Sequence, residues 1–182
     1  MKRKSIIPYN LRNRGWLSKA AGSFSHTPQR TVQLWTERGC IVPEISDTTG
    51  TGDRRLYSVK NCIEIGIIRS LSRLRLSHKL INLVMFGLRN VNALRKEEAS
   101  LLEKMLSFDQ ALLAIPCEED SLSSVAVGSI FRPFLTNYGQ QWNQVNVNEW
   151  FKHTLSEDAN ETLILNISRI ARQVLHAIET AG

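Results

Sequence analysis

No run of 18 apolar residues occurs in the sequence, so no segment has the length and apolarity of a membrane-spanning helix. Cysteine is scarce. Cys40, Cys62 and Cys117 are scattered, odd in number and without a nearby histidine, which excludes a disulfide frame or a zinc site and suits buried thiols in a reducing compartment. The opening residues, MKRKSIIPYNLRNR, are basic but lack the long apolar stretch of a secretory signal, and a cytoplasmic location is expected. They read either as a solvated arm or as an arm that touches phosphates. There is no internal repeat. Raw material for catalysis is also thin: Cys117 stands beside Glu118 and Glu119, and His153 lies near Glu149, Glu157 and Asp158. No nucleophile–base spacing or metal constellation joins them, so neither enzyme activity nor a cofactor is expected.

What the chain has in excess is positive charge, on one side. Residues 1–80 hold 15 Lys and Arg against 5 Asp and Glu, a balance of +10, while residues 81–182 hold 8 against 12, a balance of −4. Segregation on this scale gives the N-terminal part a field suited to a polyanion. Nucleic acid is the favoured polyanion, because a basic amphipathic helix with aromatic anchors, the mark of an anionic membrane surface, is missing.

The stretch TPQRTVQLWTERGCIVPEISDTTGTGDRRLY, residues 27–57, carries the densest information. Thr27 before Pro28 reads as a helix start, with the Thr hydroxyl capping and proline in the first helical position. Val32 and Trp35 are three apart on what should be a core face, which leaves Gln29, Arg30 and Gln33 together on the outside. Gly39 can take the left-handed conformation that ends a helix. Ile41, Val42 and Pro43 begin an extended segment, residues 47–53 supply turn chemistry with Gly50 and Gly52, and Arg54-Arg55-Leu56-Tyr57 should return as a second strand. Upstream, Trp16 to Gly22 reads as a short first helix that carries Lys19, with Trp16, Leu17 and Ala20 on one buried face and Gly22 as its stop. Two helices, a glycine and a basic hairpin make a winged helix-turn-helix. Gln and Arg have the paired donors and acceptors that reach base edges or phosphates. The Tyr57 ring is expected to pack beneath the hairpin rather than stack on a base.

Ser58 should start a helix over Val59–Leu74 with Cys62, Ile63, Ile65, Ile67, Ile68 and Leu71 inside, and Arg69, Arg73 and Arg75 mostly off that face. Ser77 should cap another helix to about Asn90, with Leu80, Leu83, Val84 and Leu88 as its buried stripe. A break at Asn90 and Asn92 precedes an amphipathic segment with Leu94, Leu101, Leu102, Met105 and Leu106, which serves either core packing or a dimer seam. Beyond Ala111, ALLAIP, SVAVGSIF and TLILNI are strand candidates, Trp150–Leu155 a helical turn, and Ser168 the cap of a last helix. The fold class expected is mainly α: a winged helix-turn-helix over 16–91 behind a 1–15 arm, a linking or dimerisation helix over 92–108, and a small mixed α/β region over 109–182.

Residues 28–90 resemble the DNA-binding domain of the MerR family of bacterial transcription factors. The resemblance rests on Arg30-Thr31-Val32, Trp35, Gly39, Pro43 and Arg55-Leu56-Tyr57 in order, followed by a helix and then LRLS. Leu34 and Gln33 stand where that family commonly has Tyr and Arg. The resemblance implies a homodimer on inverted-repeat operators that acts on promoter DNA. Lys19, Gln29, Arg30, Gln33, Arg54, Arg55 and Tyr57 would then form the DNA-binding set. The expected partners are double-stranded DNA, a second copy of the chain, RNA polymerase and an unidentified small-molecule effector. Trp142, Trp150, Phe131 and Phe134 could line an effector pocket or serve as plain core. A phage-type excision or architectural factor is the nearest alternative, and an enzyme on a DNA-binding scaffold a more distant one.

Overall fold

A computed structural model describes residues 7–46, 54–90, 101–106, 110–116, 132–136 and 162–181, which are mainly helical. They fall into two units, one drawn from 7–85 with 170–182 and the other from 86–169. The last helix therefore clusters largely with the N-terminal part, whereas the sequence division assigned it to the 109–182 region.

The first unit is organised around α3 (Val59–Arg73). Every residue from Asn61 to Ile68 is buried, so this helix is enclosed on all sides rather than along one stripe. Each Ile sealed there contributes about 1.5–3 kcal/mol relative to exposure. Burial pushes the Cys62 thiol well above its ordinary range, so it stays protonated and packs as an apolar group. The helix begins after Ser58 as expected, and Ser58 caps it: its hydroxyl accepts from the Asn61 N–H at 3.1 Å, and the Asn61 side chain accepts from the Ser58 N–H at 3.1 Å. This is a reciprocal capping box with Asn in place of Glu or Gln.

Before it come a 3-10 turn (Tyr9–Leu11), α1 (Ser18–Ser23) and α2 (Gln29–Glu37). The buried face of the α1 region keeps Trp16 of the expected set but not Leu17, and Ala20 is half-buried. Leu17 is exposed, while Trp16, Ala21 and Phe24 are buried, with the Trp16 and Phe24 rings edge-to-face at 5.8 Å. Gly22 does not stop α1 by adopting a left-handed conformation; His26 is the residue at positive φ (53°) in the following turn. Gly22 is needed instead for space, since a Cβ there would sit 2.4 Å from the Thr27 carbonyl oxygen.

The chain continues through α4 (His78–Asn90), which Ser77 caps by accepting from the Leu80 N–H at 3.2 Å. Its buried side is wider than expected: Leu80, Ile81, Val84, Met85 and Leu88 are buried and Leu83 is half-buried. Leu94 lies outside the described residues. The end of the predicted amphipathic segment forms α5 (Leu101–Met105), with Leu102, Met105 and Leu106 buried.

In the second unit β1 (Gln110–Pro116) is flanked on both sides by antiparallel partners, β2 (Arg132–Thr136) and β3 (Thr162–Asn166), in the order β2-β1-β3. The first and third strands match expectation. β2 was not among the strand candidates; in it Pro133 pairs with Leu113 on an outer strand of the described sheet, a place where proline is tolerated. The SVAVGSIF segment, the Trp150–Leu155 turn, and Cys117, His153, Phe131, Trp142 and Trp150 lie outside the described residues. β3 runs without a loop into α6 (Ile167–Ala181). The cap of α6 is Asn166, whose side chain accepts from the Arg169 N–H at 2.9 Å, and not Ser168, which lies inside the helix with its hydroxyl buried and unpartnered. Among the described residues no helix is long and apolar enough to cross a membrane.

Candidate nucleic-acid interface

α2 has two chemically distinct faces because its apolar residues recur at helical spacing. Val32 and Trp35 are buried, as is Thr36, while Gln29, Arg30, Gln33, Leu34 and Glu37 are exposed and line a shallow surface depression. The polar side chains of that face have nothing to do in the core and are presented outward as a group.

Both ends of α2 are fixed by local chemistry. At its start the expected Thr27 cap is replaced. Thr27 is buried, its hydroxyl lies 3.1 Å from that of Ser25, and Pro28 occupies the cap position, its carbonyl accepting from the Thr31 and Val32 N–H groups. At the far end Gly39 adopts φ 74°, as expected. The Gly39 N–H donates to the Thr36 carbonyl at 3.0 Å and the Cys40 N–H to the Trp35 carbonyl at 2.8 Å. That pair of bonds is a Schellman closure. The Asn82 side chain on α4 adds a bond to the Arg38 carbonyl at 3.2 Å.

Tyr57 joins the returning segment to α2. Its backbone pairs with Trp16 through bonds of 2.8 and 2.9 Å, and its hydroxyl lies 2.9 Å from that of Thr36. Thr36 gives its one proton to the Val32 carbonyl at 2.9 Å, so Tyr57 is the donor between the two hydroxyls. With 0 % exposure, the Tyr57 ring cannot reach a partner, and its place among the DNA-contacting residues is corrected to a structural one. Among the described residues the extended segments on either side of residues 47–53 meet at an antiparallel bridge, Ser46 with Leu56; residues 47–53, with Gly50 and Gly52, lie outside the described residues. The chain matches no protein-family model and no curated protein.

A second tie holds the segment between α2 and α3. Asn61 is fully buried and uses its amide in four directions. Its oxygen accepts from the N–H groups of Ser58 and Glu44, and its nitrogen donates to the Val42 carbonyl and the Glu64 carboxylate, all at 2.9–3.1 Å. The Glu44 carboxylate in turn accepts from the Ser58 hydroxyl and pairs with Lys60 at 2.8 Å. Sequence reasoning missed Asn61, Thr36 and Glu44; the one available signal was the Ser-x-x-Asn spacing of the capping box.

The remaining cations of the expected set lie before and after α2 in the sequence. Lys19 on α1 and Arg54 are exposed, and Arg55 is half-buried. Further upstream the Arg14 guanidinium lies 5.5 Å from the Trp16 ring centre and that of Arg12 5.8 Å from Tyr9, contacts that hold each cation at the surface. Glu37 is the acidic group on the α2 face. Chemically the α2 face offers amide and guanidinium forks on a helix whose other side is buried, groups suited to base edges and phosphate oxygens.

Proposed function

We propose that residues 16–91 form a winged helix-turn-helix of the MerR type and that the protein is a sequence-specific, double-stranded DNA-binding regulator of transcription. The observation that carries this reading is the outward face of α2. Gln29, Arg30 and Gln33 project together from a helix whose opposite side is locked into the core by Val32, Trp35 and Thr36. The charge balance of residues 1–80 supports the same partner. In this reading α2 lies in the major groove, where Arg30 makes a bidentate contact to guanine and Gln29 and Gln33 reach neighbouring base edges. Lys19, Arg54 and Arg55 bind phosphates and set the register. The protein acts as a homodimer on two half-sites about one helical turn, or a multiple of it, apart. The second unit and RNA polymerase belong to the regulatory step.

Selection of bound duplexes from a random pool, followed by affinity measurements across a range of salt concentrations, tests it. Arg30→Ala should cost about 1–3 kcal/mol and relax preference at one base position, whereas Arg54→Ala should weaken every duplex alike and reduce the salt slope by about one. A pool without enrichment, or variants with unchanged affinity and slope, would overturn the reading. Mapping the bound sites in the genome to promoters or to recombination ends separates a transcription regulator from an excision factor.

A further inference from the structure

The first unit contains a cleft of about 490 Å³ that the proposed DNA-reading face does not use. Its walls are the α1–α2 turn (Phe24, Ser25, His26), one side of α3 (Gly66, Arg69, Ser70, Arg73) and one side of α6 (from Ile170 to Thr180). A cleft of this size falls in the range that holds small organic ligands.

Its chemistry is uneven. Phe24, Ile170, Val174 and Ala177 supply an apolar floor, narrowed where α6 crosses Gly66 so closely that a Cβ there would lie 2.9 Å from the Ile170 methyl. Over it stand Arg69 and Arg73, one helical turn apart on α3 and therefore on the same face. His26 and His176 line the cleft too, and among the described residues its lining includes no Asp or Glu. Among those residues neither arginine has an ion pair or side-chain hydrogen bond. Two like charges at this spacing repel, and guanidinium forks without a carboxylate are an unspent binding capacity for an oxyanion.

We infer that this cleft binds a small organic anion, a carboxylate or phosphate monoester with an apolar body, its oxyanion held by Arg69 and Arg73 and its body against Phe24, Val174 and Ala177. The site joins α6 to the turn that positions α2. If α2 reads DNA as proposed above, occupancy changes DNA affinity, but the binding itself does not depend on that reading.

The test uses the full chain without DNA. Benzoate and phenyl phosphate are the anionic probes, benzyl alcohol the neutral control and inorganic phosphate the ion control, read by thermal unfolding and titration calorimetry. Near a hundredfold excess over Kd, an anionic aromatic probe should raise Tm by about 5 °C or more, with benzyl alcohol far weaker. Whether benzoate or phenyl phosphate binds tighter assigns the headgroup. Arg69→Gln with Arg73→Gln should weaken the better probe at least about tenfold. Ala177→Phe, which fills the floor, should abolish binding while leaving both arginines and the inorganic phosphate response in place. Failure of both probes to bind, equal binding by the double variant, or an inorganic phosphate response as large as that of the aromatic anions would overturn the site. So would a double variant whose only change is a smaller salt slope on DNA, since the arginines would then be phosphate contacts of the duplex.

Discussion

The two connections on either side of α2 are held by different forces. Between α1 and α2 the ties are local: the backbone closes on itself, and the Ser25 hydroxyl adds a bond to the Gly22 carbonyl at 3.3 Å and lies 3.1 Å from the Thr27 hydroxyl. The Gly22 carbonyl accepts from the Ser25 and Thr27 N–H groups at 3.1 and 2.8 Å, and the Ser23 carbonyl from His26 at 3.0 Å. Between α2 and α3 the ties are mainly side chains, with Asn61 gripping Val42, Glu44 and Ser58 and Tyr57 gripping Thr36. A turn that closes within a few residues tolerates no added atom at its closest approach. A segment tied by amides and hydroxyls tolerates changes of volume but not the loss of a donor or acceptor.

The sharpest way to break this contrast is Gly22→Ala. The new methyl must displace the Thr27 carbonyl, and the expected loss is about 3 kcal/mol of unfolding free energy in urea titration followed by circular dichroism. Wild-type stability in that variant would mean that the turn is pliable and the comparison false. Asn61→Ala comes next: it leaves backbone and carboxylate groups without their buried partner, for about 2 kcal/mol. Asn61→Asp, nearly the same volume but unable to donate to the Val42 carbonyl, should also destabilise; if only the alanine variant does so, the role of Asn61 is packing. Tyr57→Phe keeps the ring and removes one hydroxyl contact, so about 1 kcal/mol is expected, with the secondary structure unchanged.

The same contrast explains what could be read from sequence. Features determined within a few residues were legible: the start of α3 after Ser58 and its apolar positions, the Gly39 closure, and the division of α2 into a buried face and one bearing Gln29, Arg30 and Gln33. Helical periodicity places those side chains without knowledge of what packs behind them. Features that depend on a competing partner were not. Thr27 has the right hydroxyl for a cap, but Ser25 engages it, and Asn166 begins its helix two residues before the Ser168 that looked like the start. Long-range pairings were least accessible. Nothing local in Arg54-Arg55-Leu56-Tyr57 says that Tyr57 pairs with Trp16 rather than with the segment that follows α2, nor that its hydroxyl belongs to Thr36. The cleft beside α3 was invisible for a related reason, since Arg69 and Arg73 read as two more solvated cations until α6 and the α1–α2 turn are placed around them.

The Trp16–Tyr57 bridge has a consequence for the order of folding. Its two bonds close a ring of chain that contains α1 and α2. Helices of this length form within about a microsecond, whereas a contact so distant in sequence waits on loop-closure entropy. Until the ring closes, α1 and α2 have only their own turn to hold them, without the Tyr57 ties to Trp16 and Thr36. A nascent chain that has not yet reached Tyr57 already holds every residue of the proposed reading helix, yet lacks the clasp that holds it in place.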